Sequence, residues 1–182
     1  MTSIPDAQLS HIGLFVNDVP LMKAFYTRML GLVVSDEGFH TGRELVFLTR
    51  NPDEHHQLVL AKVEGRPTNG VSSLNQLSFR LKSLEDLRTY FAFYAKEGVK
   101  GLEGRDHGNS WSLYISDPEG NKIELYVPTP WHVSQPWRAP IDLTLSAEAI
   151  VAQTEARLKD VPSAKPAADR AAELKQRLAQ SR

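Results

Sequence analysis

The sequence predicts an α+β fold: two βαβββ modules in tandem, followed by a C-terminal helical extension. Three observations carry this. An apolar/polar alternation over residues 9–16, LSHIGLFV, gives way to a helical pattern, and the same succession restarts at residues 74–81, LNQLSFRL. Setting Gln76 on His11, a step of 65 residues, carries Ile12 to Leu77, Leu14 to Phe79, Val16 to Leu81 and Phe25-Tyr26 to Tyr90-Phe91. The second module then closes on residues 112–126, SLYISDPEGNKIELY, two alternating strands joined by Asp117-Pro118-Glu119-Gly120. In that turn Pro presets φ and Gly supplies a positive φ. Repeat one is expected over about 9–64 and repeat two over about 73–128, together forming one domain of residues 1–128, with 129–182 as the extension.

In repeat one, Ile12, Leu14 and Val16 face one way and His11, Gly13 and Phe15 the other. Asn17-Asp18 cap a helix that has Pro20 in its first turn and runs from about Val19 to Leu30. Leu21, Phe25 and Met29 stand at helical spacing, and Gly31 suits the stop. Strands are expected over 32–36, 44–49 and 56–63, separated by Gly38, Gly42 and the Asn51-Pro52-Asp53 turn. Residues 64–72, EGRPTNGVS, read as a linker.

In repeat two, Leu77, Phe79 and Leu81 share one strand face while Gln76, Ser78 and Arg80 share the other. Ser83, followed by Glu85 and Asp86, starts a helix that runs to about Glu97 and stops at Gly98. In the closing hairpin Ile123, Leu125 and Val127 oppose Lys122, Glu124 and Tyr126. Beyond Val127 the character changes. PTPWHVSQPWRAP is expected to be extended and pinned by its tryptophans. Ser146 caps a helix from about Ala147 to Lys159, and a last helix begins near Ala167 with a thin apolar stripe of Leu174 and Leu178.

Composition narrows the chemistry. Acids and bases are interspersed and the net charge is -1, which offers no surface for nucleic acid or an anionic membrane. There is no cysteine, so thiolate metal sites, disulfides and a Cys nucleophile are excluded, leaving imidazole, carboxylate and amide oxygen as ligands. The N-terminus lacks the basic and apolar regions of a signal peptide, and no apolar run approaches the ~18 residues of a membrane span. A soluble, cytoplasmic protein is the expectation.

Glu124 is the residue that most needs an explanation. A carboxylate amid apolar neighbours in mid-strand is costly unless it is solvated, paired or bound to a metal. It is either a solvated edge residue or a functional one. His11 on the polar face of the first strand of repeat one, Gln76 at the matching place in repeat two, and Glu124 form a candidate set of three ligands for a divalent metal. A lone strand histidine is more often structural, so parity and repeat symmetry together carry the candidate set.

Residues 11–32, 76–87 and 112–126, with DPEGNKIELY the most specific part, resemble the vicinal oxygen chelate superfamily of glyoxalases, bleomycin- and fosfomycin-resistance proteins and extradiol ring-cleavage dioxygenases. The resemblance implies paired βαβββ modules forming an open, curved barrel around a metal held by His11, Gln76 and Glu124. The similarity is greatest to the type I extradiol dioxygenases. It implies His56, second of the pair in HHQL, as the acid/base residue, and Tyr114 and His107 as active-site residues that hydrogen-bond the substrate. Read without the resemblance, His55-His56 is equally an exposed turn pair and Tyr114 a half-buried strand residue.

The implied cofactor is Fe(II), with Mn, Zn or Ni as alternatives. The implied substrate is a catechol-type diol or another small oxygen chelator, and a homodimer is compatible with the pattern. One departure stands out: at the second ligand position the dioxygenase pattern has His and this chain has Gln76. Glyoxalase-type members use Gln as a ligand, so a lyase, isomerase or thiol transferase is the alternative enzyme, and a small-molecule binding protein of the resistance type the other alternative. Against a glyoxalase, the last strand of repeat one carries no carboxylate matching Glu124. Phe15, Phe39, Phe47 and Trp111 are candidates to line or support a pocket.

Overall fold

The structure is a computed structural model and describes residues 5, 7–69 and 72–180. Its described residues fall into two compact units, one of Pro5–Asn75 with Ser116–Asn121, the other of Gln76–Ile115 with Lys122–Arg182.

In the first unit the chain runs β1 (Ile12–Val16), α1 (Val19–Leu30), β2 (Val33–His40), β3 (Arg43–Thr49) and β4 (Leu58–Lys62). The four strands form one sheet in the order β1-β4-β3-β2. Asp18 caps α1 by accepting from the Leu21 N–H, Pro20 sits in the first turn, and Gly31 closes the helix in the left-handed region. The buried stripe of α1 is Met22, Tyr26, Met29 and Leu30, which pack with Leu14, Val16, Val46, Leu48, Leu58 and Leu60 of the sheet as the apolar core of this unit. That stripe is one position on from the expected Leu21-Phe25-Met29, and Leu21 is exposed. Both sets satisfy helical spacing, and the choice falls on Tyr26 because its hydroxyl finds a buried partner in Asp117.

β2 is longer than expected. It pairs through Gly38 and ends at a tight turn in which Thr41 and Gly42 both take positive φ, so Gly38 is a strand residue and no boundary.

In the second unit the order is β5 (Leu77–Arg80), α2 (Leu84–Lys96), β6 (Glu103–Asp106), β7 (Ser110–Ser116) and β8 (Lys122–Pro128). After these come β9 (Trp131–His132), β10 (Ala139–Pro140), α3 (Ala147–Leu158), β11 (Lys165–Pro166) and α4 (Ala167–Gln180). The main sheet is β10-β6-β7-β8-β5, and β11 pairs with β9. Ser83 caps α2 with a full capping box: its hydroxyl accepts from the Asp86 N–H and the Asp86 carboxylate accepts from the Ser83 N–H. The βαβββ repeat is present, and its step of 65 residues holds in the ladders. Ile12 pairs with Leu58 in the first unit and Leu77 with Ile123 in the second, both in parallel pairs, while α1 begins at Val19 and α2 at Leu84.

The extension is built onto repeat two through a buried polar chain. The Trp111 indole N–H donates to Thr154 Oγ1 of α3 at 2.8 Å, and that hydroxyl donates to Asp106 Oδ2 at 2.7 Å. Asp106 and Thr154 are both fully buried. Trp111 therefore anchors α3 and does not line a pocket. Replacing Thr154 by Val keeps the shape but strands the indole N–H and one carboxylate lone pair. The expected cost is about 2–3 kcal/mol. That corresponds to a fall of roughly 8 °C in melting temperature for a chain of this size. Thermal unfolding of the variant, followed by circular dichroism, checks it; a fall under 2 °C would show the chain to be energetically idle.

Candidate functional site

Six side chains were singled out by the sequence, and the structure gathers them within its two units. In the first unit, His11 lies immediately ahead of β1, and its ring centroid is 4.3 Å from that of His56. His56 also packs edge-on against Phe47 at 5.1 Å, and its Nδ1 is 2.9 Å from Nδ1 of His55. Desolvation first, and then the neighbouring His11 and His55 rings, hold His56 below the ordinary histidine value, so its ring is the neutral, proton-accepting form at neutral pH. His55-His56 is thus part of a ring cluster with His11, although His55 itself is exposed.

In the second unit, Gln76, Tyr114, His107 and Glu124 come together around one carboxylate. Glu124 lies in mid-β8 and is only 7% exposed. The parallel pairing of β5 with β8 sets Ser78 directly opposite it, with Gln76 two residues before on the same face. Glu124 Oε2 accepts from Ser78 Oγ at 2.6 Å and from Gln76 Nε2 at 2.7 Å, and Oε1 accepts from the Tyr114 hydroxyl at 2.6 Å. Behind Tyr114, His107 Nε2 is 3.0 Å from the phenol oxygen. Lys122 Nζ stands 5.1 Å from the centre of the Tyr114 ring.

The electrostatics follow from this arrangement. Desolvation pushes the Glu124 carboxyl upward, but hydrogen bonds from Ser78 and Tyr114 outweigh it and hold it below the ordinary range. The Tyr114 phenol is pushed well upward, by burial first and then by its bond to Glu124, and stays protonated. The result is an anionic carboxylate with a neutral phenol donor beside it. Ser112, fully buried on the Tyr114 face of β7, leaves its hydroxyl without a well-formed hydrogen bond.

The donor chemistry fits a divalent metal. Carboxylate and amide oxygens are hard ligands, and imidazole is a borderline one. Which end of the Gln76 amide faces Glu124 is set by the hydrogen-bond network, and the opposite end of the same group is an oxygen ligand. Among the described residues no cluster of three or more His, Cys, Asp or Glu is spaced to hold a metal. Ser78 escaped the sequence reading as a site residue. Its parity was visible, but an exposed strand serine carries no signal until the pairing partner is known.

Comparison with known proteins decides the family. The model of the Glyoxalase/Bleomycin resistance protein/Dioxygenase superfamily matches residues 8–125. The chain belongs to that superfamily. The vicinal oxygen chelate match covers both repeats and ends before the extension.

Among curated relatives, a protein named biphenyl-2,3-diol 1,2-dioxygenase 3 from Rhodococcus globerulus is 30% identical over 131 residues, covering 70% of this chain and 65% of the relative. This chain thus spans slightly under two thirds of that relative's length. The metallothiol transferase FosB from Staphylococcus epidermidis is also 30% identical, over 66% of this chain and 82% of the relative.

Solved structures support the fold. A glyoxylase/bleomycin resistance protein/dioxygenase domain from Frankia sp. superposes with a TM-score of 0.60 at 22% identity, over 69% of this chain and 100% of that one. The fosfomycin resistance protein FosX from Listeria monocytogenes, solved with Mn(II) and sulfate, gives 0.53 at 18% identity over 69% of this chain and 95% of that one. Among the described residues no helix is long and apolar enough to cross a membrane.

Proposed function

We propose that the protein is a metal-dependent enzyme that cleaves a catechol-type aromatic diol by extradiol oxygenation. The observation that carries this reading is the Glu124 network: a buried strand carboxylate held ionised, with a protonated phenol on one oxygen and a ring nitrogen behind the phenol. The similarity to biphenyl-2,3-diol and catechol dioxygenases supports it.

Glu124, Gln76 and His11 would hold the metal. His11 precedes β1 as Gln76 precedes β5, and this equivalence within the repeat supports pairing them as ligands. A bound divalent metal would supply a Lewis acid to the two adjacent oxygens of the diol. The chain's own residues do the rest. His56, held neutral, accepts the proton of a diol hydroxyl. Tyr114, held protonated, donates a hydrogen bond to an oxygen on which negative charge develops. His107 Nε2 lies against the phenol oxygen and orients it.

A second reading is favoured by one residue. Gln76 offers an amide oxygen where the dioxygenase pattern has His, and this harder ligand suits Mn(II) better than Fe(II). FosB is as similar in identity as the dioxygenase relative, so a metal-dependent group transfer to a small oxygen chelator is the runner-up.

The two separate in one experiment: elemental analysis of the purified protein, then anaerobic loading with Fe(II) or Mn(II) and a panel of catechols watched for a yellow ring-fission product. Turnover with Fe(II) supports ring cleavage. If the wild type is inactive, Gln76→His is expected to raise ring cleavage by at least about 10-fold, because it restores the imidazole ligand suited to iron. No product from either protein would sink the dioxygenase reading.

A further inference from the structure

The extension that follows β8 lies outside the family match, and it encloses a cavity of its own of about 650 Å³. A volume of that order is typical of a site for a small ligand. The antiparallel pairing of β9 with β11 sets His132 directly opposite Lys165, so both side chains stand on one face of that ribbon. Arg170, near the start of α4, lines the same space, and so do Ser134 and Ser163. None of the proposed metal ligands, His11, Gln76 and Glu124, is among the lining residues.

The side chains around this cavity are chiefly donors. Lys165 and Arg170 share a single carboxylate: Glu173 Oε1 pairs with Lys165 Nζ, and Glu173 Oε2 lies 3.3 Å from Arg170 Nη1. Two cations against one anion leave a surplus of positive charge. The His132 ring registers it. Burial first, then Arg170 and Lys165, hold that ring below the ordinary histidine value although Glu173 acts the other way. Ser163 Oγ accepts from the Ser134 N–H at 3.1 Å, which leaves the Ser163 proton free to donate. Gln135, at one wall, spends its amide elsewhere: Nε2 donates to the His107 carbonyl at 2.8 Å and Oε1 accepts from the Trp137 N–H at 3.1 Å. Among the described residues no acid lines the cavity, and Glu173 meets the two cations from α4.

We propose that this cavity is an anion-binding site whose ligand carries a phosphoryl group, either free phosphate or a monoester of a small molecule. Lys165 supplies a point charge and Arg170 a planar fork that meets two oxygens at once. Ser134, Ser163 and the neutral His132 ring add further donors. A phosphoryl group matches this set better than a carboxylate, because it brings a charge of about −1.5 to −2 and three acceptor oxygens. Its arrival displaces Glu173 from the cations, so Glu173 is the internal competitor of the ligand. The site is independent of the chemistry proposed at Glu124.

The test is a calorimetric titration of the full chain, stripped of metal by a chelator, with inorganic phosphate, phenyl phosphate and acetate. Phosphate is expected to bind saturably with a Kd below about 1 mM, and acetate at least about 10-fold more weakly. Tighter binding of phenyl phosphate than of inorganic phosphate assigns the site to an organic monoester; equal or weaker binding assigns it to free phosphate. Lys165→Met and Arg170→Met should each weaken phosphate at least about 10-fold, since each removes a charge-assisted contact. Glu173→Gln should tighten it by about threefold, because it frees both cations. This opposite sign keeps the test decisive where circular dichroism shows a cation variant to be poorly folded. In protein labelled with ¹⁵N on histidine, the His132 ring signal, assigned by comparison with His132→Gln, should shift as phosphate is added. No saturable binding below about 10 mM overturns the proposal. So does equal affinity for acetate, a His132 signal that stays in place, or an affinity that neither Lys165→Met nor Glu173→Gln changes.

Discussion

Glu124→Ala is expected to abolish stoichiometric binding of a divalent metal and, with it, metal-dependent turnover. Glu124 is the one fixed anion in the Gln76-Ser78-Tyr114 cluster, and its hydrogen-bonding partners already hold it ionised. Losing a mere hydrogen-bond partner of a ligand costs roughly 10–100-fold in metal affinity, so loss of the carboxylate itself should exceed about 100-fold. Metal content after dialysis and competition with a chelator of known affinity measure this, and wild-type metal content in the variant would remove Glu124 from the ligands. Glu124→Gln is a sharper probe because it keeps the size while placing an NH2 group against donors.

The metal-free protein supplies a pH test of the same group. A carboxyl whose folded pKa is depressed contributes stability that is fully present above its unfolded value, about 4.3. That contribution is lost as pH falls through the lower folded value. The stability gap between wild type and Glu124→Gln, measured by urea unfolding, should therefore narrow below about pH 4. A constant gap down to pH 3 would contradict the hydrogen-bonded, ionised state.

The fold was legible because its determinants are local. Asp18 and Ser83 cap helices with their own side chains, Gly31 closes one, and the alternation of LSHIGLFV and LNQLSFRL sets the inward faces of β1 and β5. What escaped was set by distant partners. The buried face of α1 turned on Tyr26, whose hydroxyl bonds a residue 91 positions away. β2 ran on through Gly38 because its pairing with β3 extends to the Thr41-Gly42 turn, and an interior glycine in a strand has the same local signature as a boundary.

The site was legible in its parity and not in its supports. Gln76 and Glu124 stood on polar strand faces, and the pairing of β5 with β8 brings them within a hydrogen bond. Tyr114 and His107 were reached only through family resemblance, since a half-buried tyrosine and a loop histidine have many ordinary explanations. Ser78 could not be found as a partner of Glu124 from sequence, because only the pairing of β5 with β8 decides which side chain stands opposite the carboxylate. Trp111 shows another limit: its aromatic character left lining and support both open, and only the fold shows its indole N–H holding α3 through Thr154.

The motif that made the sequence recognisable has a structural purpose, and Asp117→Ala should reveal it as the most destabilising of these substitutions. Asp117 is 4% exposed and its carboxylate takes four donors. Oδ2 accepts from the Tyr26 hydroxyl at 2.9 Å and Asn121 Nδ2 at 2.7 Å, and Oδ1 accepts from the N–H groups of Glu119 at 3.0 Å and Asn121 at 2.8 Å. Glu119, two residues on, accepts from the N–H groups of Asn17 and Asp18 at 2.7 and 2.8 Å and pairs with Arg66. The acids of Asp117-Pro118-Glu119-Gly120 thus shape the turn and bind it to the start of α1.

Removing the Asp117 carboxylate strands the Tyr26 hydroxyl, which is fully buried and whose ionisation burial and Asp117 push far upward, so it cannot escape by losing its proton. Each orphaned buried donor costs about 1–3 kcal/mol, and with water entering the turn to satisfy the backbone donors the total should reach about 3–5 kcal/mol. Tyr26→Phe alone should cost only about 1–2 kcal/mol, because it removes a donor and leaves no orphan on its own side. Combined with Asp117→Ala it should be nearly free, a coupling of about 1 kcal/mol or more. Urea midpoints for the two single variants and the double variant, read with an unchanged slope, close the cycle. Strict additivity would mean that the Tyr26–Asp117 bond contributes nothing, and the turn would then need another explanation for its two acids.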